Sequence, residues 1–218
     1  MKKPIYIIGS GGYSKQVIEI LEETAGQQDW EIIGLIDDDY GKHGQEVLGY
    51  PVLGDVGWLK KQSFIEASSA VVAVGDGEQR KCIINDLKNV YWPNVIHPSA
   101  LLSKHIEMGK GNVISAGVII NPDSSLGNFN NINIGCTLGH DVYFADYVTV
   151  MPNCSISGNV NINQFTTVGT GTAVIQGLSL GSGSIIGAGS SVIDHTDSYS
   201  VYVGSPAKKV KSLAEKIN

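Results

Sequence analysis

The chain has 218 residues, 42% hydrophobic and 17% charged, with a formal net charge of -6 and a pI near 5.3. Disordered chains carry less apolar content, and the acidic balance argues against nucleic-acid backbones or anionic membranes as principal partners. No eighteen apolar residues run together, and MKKPIYIIGSGG has only a short apolar stretch before Gly9 and no small-residue cleavage site, so a cytoplasmic protein is expected.

The first elements read as a small α/β unit. IYIIG (5–9) is a strand, GSGGYS a glycine-rich turn, and QVIEILEE a helix with its apolar stripe at Val17, Ile18 and Leu21. Strands follow at EIIGLID and AVVAVGD, then a helix at 78–88. Strands alternating with helices imply a parallel sheet, here of about four strands, enough to hold a mononucleotide. This domain is expected to span residues 1–95. In the turn, glycines let a ligand approach the backbone, and the helix N-terminus behind it favours an anion such as a diphosphate. With Ser14 where the GxGxxG fingerprint has its third glycine, the turn reads equally well as a tight connection. Asp37 and Asp38 close the second strand, where a carboxylate binds a ribose hydroxyl or a base N–H; a solvated acidic turn is the competing reading.

From residue 96 the period becomes six. Every sixth residue from Ile96 to Val192 is apolar, seventeen in succession, which chance in one register would give about once in 10⁵. This is the hexapeptide repeat of a parallel β-helix, three short faces closing one coil of about eighteen residues, expected over 96–206. The next residue is often small or Asn, as at Gly109, Gly127, Gly139 and Gly187, where the strand bends and a β-carbon would crowd. Cys136 and Cys154, eighteen apart, should stack as a buried thiol pair. The three cysteines form no metal-binding spacing. The tail, 207–218, is basic and amphipathic and is expected as a short helix over the open end.

Among five histidines (His43, His97, His105, His140, His195), His140 stands out. It lies two residues past inward-facing Leu138, outside the packed column and near a corner. His105 and His195 raise a metal-bearing β-helix, but that needs three gathered histidines, and the coils around His140 hold no second one.

IIGSGGYSKQV, LIDDD, AVGDGEQRK, VIHPSALLS, the repeat block and VGSPAKKV occur in this order, and with them the chain resembles the hexapeptide-repeat acyltransferases of the NeuD/PglD type. The resemblance implies a Rossmann-like half domain ahead of a left-handed β-helix, a homotrimer with active sites between neighbouring β-helices, and acetyl-CoA as co-substrate without a metal. It assigns the nucleotide-sugar to Gly9, Gly11, Gly12, Tyr13, Ser14, Asp37, Asp38 and Gly75, although many relatives have histidine where this chain has Tyr13. It makes His140 the general base, oriented by Asp141, with Asn133 near the acceptor. Adjacent residues on a straight strand point apart, so the pair meets only if the backbone bends there. Acetyl-CoA would lie against Thr149, Gly158, Thr170, Gly187 and Ala188; some relatives carry a second histidine at the position of Thr149.

The expected activity is N-acetylation of a nucleotide-linked, UDP-type 4-amino-4,6-dideoxy sugar in bacterial glycan biosynthesis, by direct attack. A sialic-acid-type O-acetyltransferase is the alternative within the class. A trimeric β-helix binding or scaffold module that has lost its chemistry is the alternative outside it.

Overall fold

In a computed structural model of the chain, residues 2–24, 30–62, 68–88 and 90–213 are described. The N-terminal part opens with strand β1 (Lys3–Ile8), helix α1 (Gly12–Glu23) and strand β2 (Trp30–Ile36). Then come a hairpin of β3 (Glu46–Val47) and β4 (Tyr50–Gly54), a short helix α2 (Val56–Lys60), strand β5 (Ser69–Val72) and helix α3 (Gly77–Asp86). The sheet order is β3-β4-β2-β1-β5, parallel except for the antiparallel β3 at its edge. The chain builds outward from β1 through β2 to β4 and returns across β1 to β5. That reversal opens a crevice at the carboxyl ends of β1, β2 and β5. Both sheet faces are covered: Val17, Ile18 and Leu21 of α1 pack on Ile5 and Ile7, while Tyr6 and Ile8 face Val56, Leu59 and Leu87. The hairpin and α2 go beyond the elements expected from sequence.

From β6 (Val95–Ile96) a two-residue strand recurs every six residues to β22 (Ser191–Val192), and strands eighteen residues apart pair in parallel, as Ile119 with Thr137 and Ser125 with Tyr143. The result is a left-handed parallel β-helix with three faces. The first face holds the strands at 95, 113, 131, 149, 167 and 185, the second those at 101 through 191, and the third those at 107 through 179. The six-residue apolar column forms the core, and from Ile114 to Val192 each member is at most 4% exposed. From Gly111 to Gly189, each corner turns through a left-handed residue at every sixth position. Glycine fills half of these positions; Asp123, Asp141, Asn153 and Asn159, the side chains that best tolerate that conformation, fill four more. Phe129, Tyr147 and Phe165 fill the others, all on the corner between the third and first faces, where their rings stack at 5.6 and 5.5 Å between centroids.

Cys136 and Cys154 are free, buried and stacked in adjacent coils as expected. The tail differs from expectation. Residues Lys208–Ser212 form a strand, β24, antiparallel to β23 (Ser200–Val203), and so extend the first face by a hairpin. The alternation of Lys209 and Lys211 with Val210 suits an edge strand, and the open ladder of the last coil offers the hydrogen bonds that a lone helix would lack. Residues 214–218, the rest of the expected helix, lie outside the described residues.

Truncation should separate column from surface. Phe144→Ala, at a fully buried position, should cost about 3–5 kcal/mol in urea unfolding. Val210→Ala, at 60% exposure, should stay within about 0.5 kcal/mol. Similar losses at the two positions would contradict the assignment of the column.

Candidate active site

The crevice at the ends of β1, β2 and β5 is a cavity of about 360 Å³, within the range of small-ligand pockets. Gly9, Ser10 and Gly11 form one wall, Asp37 and Asp38 another, and Val74 and Gln79 a third, over an apolar floor of Ile8, Ile36, Val56 and Ile83. Gly9 has φ +103°, and a β-carbon there would sit 3.0 Å from the Ala73 carbonyl oxygen, so only glycine turns the chain here. Nothing lies within 4 Å of where a β-carbon on Gly11 or Gly12 would be, which leaves the first turn of α1 open to an anion. Ser14 is buried, its hydroxyl donating to the Gly11 carbonyl at 2.7 Å. Gly12, Tyr13 and Ser14 support the turn without lining the cavity.

The two aspartates have different tasks. Asp37 Oδ2 accepts from the Ser10 N–H at 2.9 Å, the Ser10 hydroxyl at 2.5 Å and Lys42 Nζ at 3.0 Å, and its Oδ1 accepts from the Asp39 N–H at 3.0 Å. Burial alone would raise its pKa, but the donors from Ser10, Asp39 and Lys42 outweigh it and pull the carboxyl down to about 2. Asp37 therefore builds the loop from inside. Asp38 uses Oδ1 to accept from the Val56 N–H at 3.0 Å and is otherwise exposed, the better placed of the two to meet a ligand. Ser10 and Lys42 were not among the expected residues, although Ser10 lies within the glycine-rich turn.

Gly75, expected at the nucleotide, is exposed but off the cavity wall. Its carbonyl accepts from Arg80 Nη1 at 2.8 Å and from the Thr149 hydroxyl at 2.7 Å. Thr149, expected at acetyl-CoA, has its side chain engaged by the N-terminal domain. It is 4% exposed on the first face beneath the N-terminal domain, and its oxygen also accepts from Arg80 at 2.9 Å, so it joins the two domains. The Tyr13 hydroxyl is also buried, with no hydrogen-bond partner among the described residues. Burial drives its pKa up, and the nearby Arg80 charge opposes this only in part, so the phenol stays protonated.

On the β-helix, His140 and Asp141 occupy the corner between the second and third faces, both more than half exposed. Asp141 takes the left-handed position at φ +57°, which folds its side chain back onto its neighbour. His140 Nδ1 and Asp141 Oδ2 are 2.7 Å apart. An ionised carboxylate can only accept, so the proton belongs on Nδ1 and Nε2 is left as the basic nitrogen. Gly158 lies one coil on; a β-carbon there would come within 2.8 Å of the ring's Cε1 and Nε2. The glycine is thus the seat of the imidazole.

Asn133, Thr170, Gly187 and Ala188 gather at a different corner, between the first and second faces. Asn133 Oδ1 accepts from its own turn, the Ile134 N–H at 2.8 Å, while Thr170 and Ala188 are exposed and leave a shelf of small groups and backbone. Among the described residues no group of three metal-ligating side chains occurs.

The PglD N-terminal domain family matches residues 4–87. A histidine-to-asparagine mutant of perosamine N-acetyltransferase from Caulobacter crescentus, solved with CoA and GDP-perosamine, is 30% identical; the match covers 96% of this chain and 97% of that one with a TM-score of 0.86. The chain belongs to the acetyl-CoA-dependent sugar acetyltransferases of the hexapeptide-repeat family, NeuD/PglD type. The acetyltransferase domain of PglB from Neisseria gonorrhoeae, in complex with acetyl coenzyme A, is 28% identical over 96% of this chain and 100% of that one, also at a TM-score of 0.86. An uncharacterized protein, L142, of Acanthamoeba polyphaga mimivirus is 34% identical over 110 residues, half of this chain, which spans about a fifth of that relative's length. Both structural matches run through the Rossmann-like half domain and the β-helix that follows it.

The Asp37 network gives a pH signature. An unfolded aspartate titrates near 4 and this one near 2, so its stabilising contribution is complete above about pH 4 and is lost as pH falls through about 2. In urea titrations, the stability gap between wild type and Asp37→Asn should therefore narrow from pH 5 to pH 2. A constant gap would show that the carboxylate charge contributes nothing.

Proposed function

We propose that the protein transfers the acetyl group of acetyl-CoA to the amine of a nucleotide-linked 4-amino-4,6-dideoxy sugar, with His140 as general base. The observation that carries this reading is the His140–Asp141 pair, 2.7 Å apart beside Gly158, with Nε2 unengaged among the described residues. The nucleotide binds in the crevice, its phosphates toward the first turn of α1 and its sugar or base edge toward Asp38. In the Caulobacter relative the nucleotide is GDP; the sequence reading favoured UDP, and an assay with both identifies the base.

Acetyl-CoA, when bound, supplies an acyl carbon activated as a thioester. The shelf of Asn133, Thr170, Gly187 and Ala188 fits a long ligand held through backbone groups. As the amine nitrogen attacks, Nε2 accepts its proton, and Asp141 stabilises the imidazolium that forms. No acyl-enzyme is required. The crevice, the base and the shelf occupy different corners of one chain, so the reading includes a homotrimer in which neighbouring copies complete each site. Leu101, Ile119 and Ile134, exposed on the second face and its edge, supply apolar surface for that packing. Three free cysteines accord with a reducing cytoplasm.

His140→Ala should lower kcat by about a hundredfold or more without changing the assembly's size by light scattering, and Asp141→Asn should lower it less. Gly158→Ala should also lower kcat, because a methyl group displaces the ring from its seat. Near-normal turnover in His140→Ala would exclude this base.

A further inference from the structure

Arg80 is 1% exposed, and its hydrogen bonds all go to neutral oxygens. Nε donates to the Phe129 carbonyl at 3.1 Å; Nη1 donates to the carbonyls of Val74 and Gly75 at 2.9 and 2.8 Å and to Thr149 Oγ1 at 2.9 Å; Nη2 donates to the carbonyls of Tyr147 and Val148 at 2.8 and 3.0 Å. Burial lowers its pKa to about 10, still a cation at neutral pH. Such a group is costly to bury unless every N–H is satisfied, and here all five have oxygens within reach.

The partners fall on two sides of a seam. Val74 and Gly75 follow β5, and Val74 lines the nucleotide crevice. Tyr147, Val148 and Thr149 belong to the β-helix, one strand beyond His140 in the same coil. Further bonds reinforce the link, the Asn131 amide donating to the Val74 carbonyl at 3.1 Å and the Thr149 hydroxyl to that of Gly75. A lysine ammonium, with three donors and no planar fork, cannot reproduce this span.

We propose that Arg80 is a positioning residue: it fixes the crevice wall at Val74 and Gly75 to the β-helix, and so sets the angle at which a nucleotide-held amine is delivered to the base. This rests on the function proposed above. A remote change that displaces reacting groups by about 1 Å costs up to about a hundredfold in rate, so the effect should fall on tethered acceptors.

The test compares the nucleotide-linked amino sugar with the same amino sugar lacking its nucleotide, in wild type, Arg80→Met, Arg80→Lys and the milder Asn131→Ala. Arg80→Met should lower kcat for the tethered acceptor by at least about tenfold while the untethered rate and the acetyl-CoA KM stay within about twofold. Arg80→Lys should recover part of the loss, and Asn131→Ala should lose a few-fold on the tethered acceptor alone. Equal losses on both acceptors, or no loss on the tethered one in either Arg80→Met or Asn131→Ala, would overturn the positioning role. A wild type that shows no preference for the tethered acceptor would overturn the functional reading itself, and is recognised before any variant is made.

Discussion

The structure depends on a coil of eighteen residues that closes by turning through a left-handed residue at each corner. The inward apolar column supplies the burial, but the corners fix the register, because each must turn in step with the corner of the coil beneath it. Gly127 and Gly169 show how tight this stacking is: a β-carbon on either would press into the backbone of the next coil. A slip of one residue would place polar side chains in the column and β-carbons in these contacts.

The same geometry makes the chemistry. A left-handed backbone at Asp141 brings its carboxylate back to His140, which a strand would not do, and the eighteen-residue register sets Gly158 beside the imidazole. The aromatic corner does different work. Phe129 and Tyr147 adopt a conformation uncommon for aromatic residues, and the carbonyls of both accept from Arg80. One corner thus presents the His140–Asp141 pair and another anchors the N-terminal domain.

The six-residue period made the β-helix legible, including its inward column and stacked cysteines, because burial on every face enforces the pattern. His140 was legible as a residue just outside the column. Its contact with Asp141 required a bend that the alternation of apolar residues does not encode. Thr149 was assigned to acetyl-CoA only through the family resemblance; the N-terminal domain's cover over the first face there leaves no mark in the repeat. Arg80 gave no signal because most of its partners are backbone carbonyls, which every sequence has. The KKVKS strand was missed for a related reason, since its pairing depends on the free edge of Ser200–Val203, far from anything in its own composition.

The central proposal is that neighbouring copies complete each site, which in its simplest form has the crevice of one copy serve the His140 of another. Mixing tests it directly: His140→Ala and a crevice variant, Asp38→Ala with Gly11→Trp, each of low activity alone, are dissociated, combined and reassembled. The account predicts that mixed assemblies regain a substantial fraction of wild-type turnover, because an intact crevice then faces an intact His140 across an interface. Mixed assemblies no more active than their two parents would contradict it.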